Sequence, residues 1–160
     1  MYSANVIKYN KLIHRIIGFL FIITFVFVLT SCKKNKKEDQ KLVDHPVPSV
    51  PVDMVLYPND PLNFKLQGIG GWQYLNGGVY GIIIYRKSEQ EFTALERCSP
   101  ELPNNPDAKV KVLPDNFTCL DSISGSQWQI VDGNLIQGPA TWNLRRYSTS
   151  FDGNVLRIRN

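Results

Sequence analysis

The chain has 160 residues, with 18 basic and 14 acidic side chains and a net charge of +4. Taking Lys8, Lys11 and Arg15 out of the 18 leaves 15 basic against 14 acidic residues, a net of +1, because the first 31 residues hold no acid. That balance excludes a nucleic-acid surface, which needs a basic patch belonging to the domain itself, and the length leaves room for a single core.

Lys8, Lys11 and Arg15 form a positive n-region before the apolar run Ile16 to Leu29, broken only by Gly18 and Thr24. At about 14 residues the run falls short of the roughly 20 that cross hydrocarbon and suits the h-region of a signal peptide. It ends in Leu29-Thr30-Ser31-Cys32, which resembles a bacterial lipobox: a branched apolar residue, two small residues, then the cysteine that is lipidated. The resemblance implies cleavage before Cys32 and attachment of a diacylglyceryl and palmitoyl anchor there, which turns a soluble domain into a membrane-bound one. Residues 1–31 are therefore expected to be a lipoprotein signal peptide. Residues 32–51 are expected to be a tether, lysine-rich at Lys33, Lys34, Lys36 and Lys37 and extended through His45-Pro46-Val47-Pro48-Ser49-Val50-Pro51. Lys33 directly after the cysteine favours the outer membrane, on its periplasmic or surface face.

From Val52 to Asn160 the chain reads as short β-branched and aromatic runs between turn residues, with no convincing helix. Strands are expected at Val52–Tyr57, Trp72–Leu75, Val79–Arg86 and Glu91–Glu96. Further strands are expected at Lys109–Leu113, Phe117–Leu120, Gln127–Val131, Asn134–Gln137, Leu144–Ser148 and Val155–Ile158. Asn76-Gly77, Asp132-Gly133 and Asp152-Gly153 mark hairpin turns. Gly68, Gly70 and Gly71 precede a strand rather than a helix, so they form a tight loop and not a phosphate-binding one.

The order Gly125-Ser126-Gln127-Trp128, Asp132-Gly133, Gly138-Pro139-Ala140, Leu144, Tyr147 and Asp152-Gly153 resembles the second half of a Rieske iron–sulfur domain. Upstream, Glu96-Arg97-Cys98-Ser99-Pro100 stands where that family has its first ligand loop, so the likeness runs from about Val79 to Asn160. It implies an all-β, Rieske-like antiparallel sandwich or barrel of about ten short strands. In that family each ligand loop supplies one cysteine and one histidine to a [2Fe–2S] cluster. Here Pro100 holds the first histidine position, Ser124 the second, and Asp121 the second cysteine position; Cys119 lies two residues further out. The chain's two histidines, His14 and His45, fall in the expected signal and tether. Two thiols and no domain histidine cannot assemble the family's ligand set, so no cofactor is expected.

The same likeness brings the two loops together and so implies a Cys98–Cys119 disulfide, suited to an oxidising compartment and worth about 3 kcal/mol on loop entropy. Ser126, which bonds the cluster in Rieske proteins, is expected to satisfy nearby backbone. It has no base that would make it a nucleophile. The expectation is a non-enzymatic, membrane-anchored module of the bacterial cell envelope. Its protein partner would meet the old cluster surface: the Cys98 loop, the segment from Cys119 to Ser126, and Gly138-Pro139-Ala140. The competing expectations are an electron carrier that binds [2Fe–2S] through atypical ligands, and a module whose disulfide cycles.

Overall fold

Ile82, Ile83 and Ile84 are all fully buried, so the strand that carries them has protein on both faces. In the computed structural model, which describes residues 44–160, that strand is β3 (Ile82–Arg86). Around it lie β1 (Asp53–Leu56), β2 (Trp72–Leu75), β4 (Phe92–Glu96), β9 (Arg146–Phe151) and β10 (Leu156–Arg159), in the antiparallel sheet order β1-β10-β9-β4-β3-β2. A second antiparallel sheet has the order β5 (Lys111–Val112), β6 (Thr118–Leu120), β7 (Gln127–Gln129) and β8 (Leu135–Gln137). The ten strands fit the expected all-β architecture. The only helical pieces among the described residues are two 3₁₀ turns, Pro61–Leu66 and Pro106–Ala108, each opened by proline.

Alternation along β3 and β4 sorts the apolar side chains into two cores. Ile82, Ile84, Phe92 and Ala94 join Val52, Leu66, Tyr147, Leu156 and Ile158 within the curl of the large sheet. Ile83 and Leu95 face the other way and meet Val110, Cys119, Trp128, Ile130, Ala140 and Leu144 from the small sheet and its flanks. Arg86 shares the Ile82–Ile84 face yet is buried, and its guanidinium is satisfied by backbone. It donates to the carbonyls of Leu66 (3.0 Å), Gln67 (3.1 Å), Ser88 (3.3 Å) and Glu89 (3.0 Å), which locks the 3₁₀ turn to the hairpin after β3.

The three expected hairpins form, and Gly133 and Gly153 take the positive φ that their turns require (73° and 97°). The loop after Asn76 is longer than a two-residue turn, because β3 starts at Ile82 rather than Val79.

Asp44–Asn160 forms one compact unit, and the described part of the expected tether packs on it. Val47 is fully buried, and its carbonyl accepts from Arg145 Nε (3.0 Å) and Nη2 (2.6 Å). His45 packs edge-on against Trp142 at 5.5 Å between ring centroids. The domain therefore contains one histidine. The expected signal, Cys32 and most of the tether lie outside the described residues. No helix among the described residues is long and apolar enough to cross a membrane.

Candidate functional site

The segment after β6 turns back on itself between Asp121 and Ser126. The Asp121 amide donates to the Ser126 carbonyl (3.0 Å), and the Gly125 amide donates to the Asp121 carbonyl (2.8 Å). Gly125 takes φ 77° at the close of the turn. This loop brings Asp121, Ser124 and Ser126 into one hydrogen-bonded group. Asp121 Oδ1 accepts from the Ile123 amide (2.9 Å), and Asp121 Oδ2 accepts from the Ser124 hydroxyl (2.7 Å). Ser124 has one proton to give. With that proton on Asp121, the 3.0 Å contact between the two serine oxygens is a donation from Ser126 to Ser124.

Ser126 in turn accepts the Ala140 amide at 3.1 Å, as expected of a hydroxyl that satisfies nearby backbone. Gly138 lies so close that a Cβ there would come within 2.5 Å of Ser126 Cα. The Gly138-Pro139-Ala140 loop is thus seated on the Asp121–Ser126 loop, and Asp121, Ser124, Ser126, Gly138 and Pro139 form one patch. Asp121 and Ser126 are fully buried beneath it, while Gly138, Pro139 and Ile123 are exposed. Ser126 is fully buried, and the relay ties the Asp121–Ser126 loop to the Gly138-Pro139-Ala140 loop.

Cys98 and Pro100 belong to a second group. Glu96, fully buried at the end of β4, accepts four hydrogen bonds. They come from the amides of Val79 (2.8 Å), Tyr80 (3.0 Å) and Cys98 (2.9 Å), and from the Tyr147 hydroxyl (2.6 Å). One carboxyl group therefore ties the β2–β3 loop and the Cys98 segment to β9. Gly78, at φ 61°, fits against Glu96 and Tyr147 where no side chain could. Beyond it, Cys98 Sγ points at the Pro103 carbonyl (3.4 Å), which also accepts from Tyr80 Oη (3.3 Å). Pro100 is buried.

The implied disulfide is corrected: both thiols are free. Cys119 sits mid-strand opposite Trp128, with its side chain in the core between the sheets, whereas Cys98 is turned toward its own loop. Burial pushes each thiol up to about 12, with Glu96 adding to the effect at Cys98 and Asp115 at Cys119. Such thiols exchange slowly near neutral pH.

The fit to a Rieske-type cluster fails on these residues. Asp121 and Ser124 at the ligand positions bond each other, and the Pro100 side chain offers no donor atom. Cys119 faces the core. His45, now part of the domain, has both ring nitrogens engaged: Nδ1 accepts the Val47 amide (3.2 Å), which leaves Nε2 as donor to the Asn143 carbonyl (3.0 Å). Among the described residues no three His, Cys, Asp or Glu side chains come together as a metal site.

Sequence reasoning passed over the Glu96 group. Its signal is a lone acid closing the apolar run Phe92-Thr93-Ala94-Leu95, together with the Gly77-Gly78 pair. No protein-family model matches the chain, and no curated protein matches it in sequence.

Proposed function

We propose that this chain is a lipid-anchored, non-enzymatic interaction module of the bacterial cell envelope, on a Rieske-like β scaffold that has lost its [2Fe–2S] cluster. The observation that carries the proposal is the closed circuit Ala140–Ser126–Ser124–Asp121 at the positions where the resemblance expects ligands. A hydrogen-bonded clamp there joins the 121–126 loop to the Gly138-Pro139-Ala140 loop and engages Asp121 and Ser124 with each other. Above the clamp, Ile123 (55% exposed), Gly138 and Pro139 present an apolar, rigidly held surface of the kind that receives a protein partner. The anchor is the lipid on Cys32, which holds the module at the outer membrane.

Two measurements on the full chain, purified from bacterial membranes in mild detergent, test the proposal. Iron and acid-labile sulfide are expected to be absent and the visible spectrum featureless. Stoichiometric iron with a visible band would make the protein an electron carrier with atypical ligands. Labelled palmitate is expected in the parent chain and lost in Cys32→Ser; incorporation that survives the substitution would refute the anchor.

A further inference from the structure

The 3₁₀ turn Pro61–Leu66 exposes what such turns ordinarily bury. Leu62 is 88% exposed, Phe64 66%, and Ile69 on the next turn 63%. These tips are not loose. Asp60 Oδ1 caps the Leu62 amide (2.8 Å), and Asn63 Nδ2 donates to the Tyr57 carbonyl (3.0 Å). Leu66 is fully buried, and Arg86 holds its carbonyl. Gly71 lies against the Lys65 carbonyl so closely that any side chain there would collide, which seats the Ile69 turn directly on the 3₁₀ turn.

Beside these tips is a hollow of about 300 Å³ lined by Lys65, Gly70, Gly71, Trp72 and Asn116. Each lining stretch is continuous with an exposed apolar residue: Phe64 precedes Lys65, Ile69 precedes Gly70, and Phe117 (47% exposed) follows Asn116. Trp72 Nε1 donates to Asn116 Oδ1 (2.8 Å), which fixes the ring at the rim. The nearby acids, Asp60 and Asp115, are exposed but engaged in local hydrogen bonds. Asp60 caps Leu62, and Asp115 accepts from Thr118 and from the amides of Phe117 and Thr118. Lys65 is exposed and makes no ion pair among the described residues.

Apolar tips with a tryptophan and a lysine at their base are the elements that seat a protein in the headgroup region of a bilayer. We propose that this face docks on a phospholipid bilayer surface. Leu62, Phe64, Ile69 and Phe117 enter the headgroup–acyl boundary, and Lys65 meets a lipid phosphate at the mouth of the hollow. The inference rests on the reading that the chain is anchored to a membrane. Residues 33–43, even fully extended, reach no further than roughly 40 Å. A domain of this size is about 35 Å across, so a bilayer is the apolar medium always within range of the face.

The test uses the full chain reconstituted in protein-free vesicles of phosphatidylethanolamine and phosphatidylglycerol. An environment-sensitive fluorophore is placed on Phe64→Cys or, in a separate variant, on Glu101→Cys, an exposed position in the loop after Cys98. Cys98 and Cys119 are buried and take no label. Spin-labelled lipid is expected to quench the Phe64 probe severalfold more than the Glu101 probe, and Leu62→Ser with Ile69→Ser is expected to abolish the difference. Equal, weak quenching at both sites would overturn the proposal, as would quenching unchanged by the two serines. Label uptake by the parent chain reads the anchor separately. Uptake at Cys32 means that no lipid is attached there, and the quenching comparison is then made in Cys32→Ser, which keeps the apolar segment in the vesicle.

Discussion

Removing the Tyr147 hydroxyl tests whether the Glu96 group holds the β2–β3 loop, the Cys98 segment and β9 together. Tyr147→Phe deletes one 2.6 Å hydrogen bond to a buried carboxyl oxygen and changes little else. A bond of that kind is worth about 1.5–3 kcal/mol. Glu96→Gln keeps an acceptor for Tyr80 and Cys98 but turns an amide NH₂ toward the Val79 amide. One buried donor is left unpaired, at a cost of about 1–3 kcal/mol. In that background Tyr147 can accept from the new NH₂, so its removal hurts differently. The double variant should therefore depart from additivity by at least about 0.5 kcal/mol. A domain of this size has roughly 5–15 kcal/mol in all, so both single variants fold. Glu96→Ala strands three amides and leaves a cavity, a loss comparable with the whole stability, and it should not accumulate as folded protein. Urea unfolding of the Asp44–Asn160 unit at pH 7, followed by tryptophan fluorescence, reads each value. Less than about 0.5 kcal/mol for Tyr147→Phe, with strict additivity in the double variant, would refute the reasoning.

Gly78→Ala should destabilise by at least about 1 kcal/mol, because it combines a positive φ with a collision against Glu96 and Tyr147; the same urea titration measures it. Asp121→Ala should cost about 1–3 kcal/mol by unpairing Ser124 and the Ile123 amide, with faster hydrogen exchange in the 121–126 loop as its local mark. Cys98 and Cys119 should resist a thiol reagent at pH 8 in the folded Asp44–Asn160 unit and both react once it is unfolded. Their folded pKa values near 12 stand above the ordinary 9.0. Stability is therefore whole below about pH 9 and declines as pH rises toward 12, because the unfolded chain releases protons that the folded one keeps. Hydrogen bonds from Thr118 and Phe117 hold Asp115 below the usual carboxylate range. Its contribution is present above the ordinary carboxylate pKa and lost as pH falls through the lowered one. Asp115→Asn should accordingly flatten the acid limb of a pH–stability curve.

The strands were legible because each is a local matter: β-branched and aromatic runs bounded by Asn-Gly, Asp-Gly and proline. What the sequence hid was set by partners far along the chain. β3 starts three residues late because the Val79 and Tyr80 amides, which would have extended the ladder, are taken by Glu96 from the next strand. Pro46, Pro48 and Pro51 read as a spacer, yet Val47 is core, because Arg145 and Trp142 come to meet that segment from 98 and 97 residues away. The cysteine pair shows the difference most sharply. The Rieske resemblance implied that Cys98 and Cys119 converge, but strand alternation decides where Cys119 points. Pairing with Trp128 in the small sheet turns it into the core. Asp121 and Ser124 are three residues apart at a turn, the spacing at which a carboxylate captures a hydroxyl and a backbone amide without help from a metal. A loop that closes itself in this way holds its shape through its own hydrogen bonds, and that local sufficiency is what supports the proposed reading of the site as a contact scaffold.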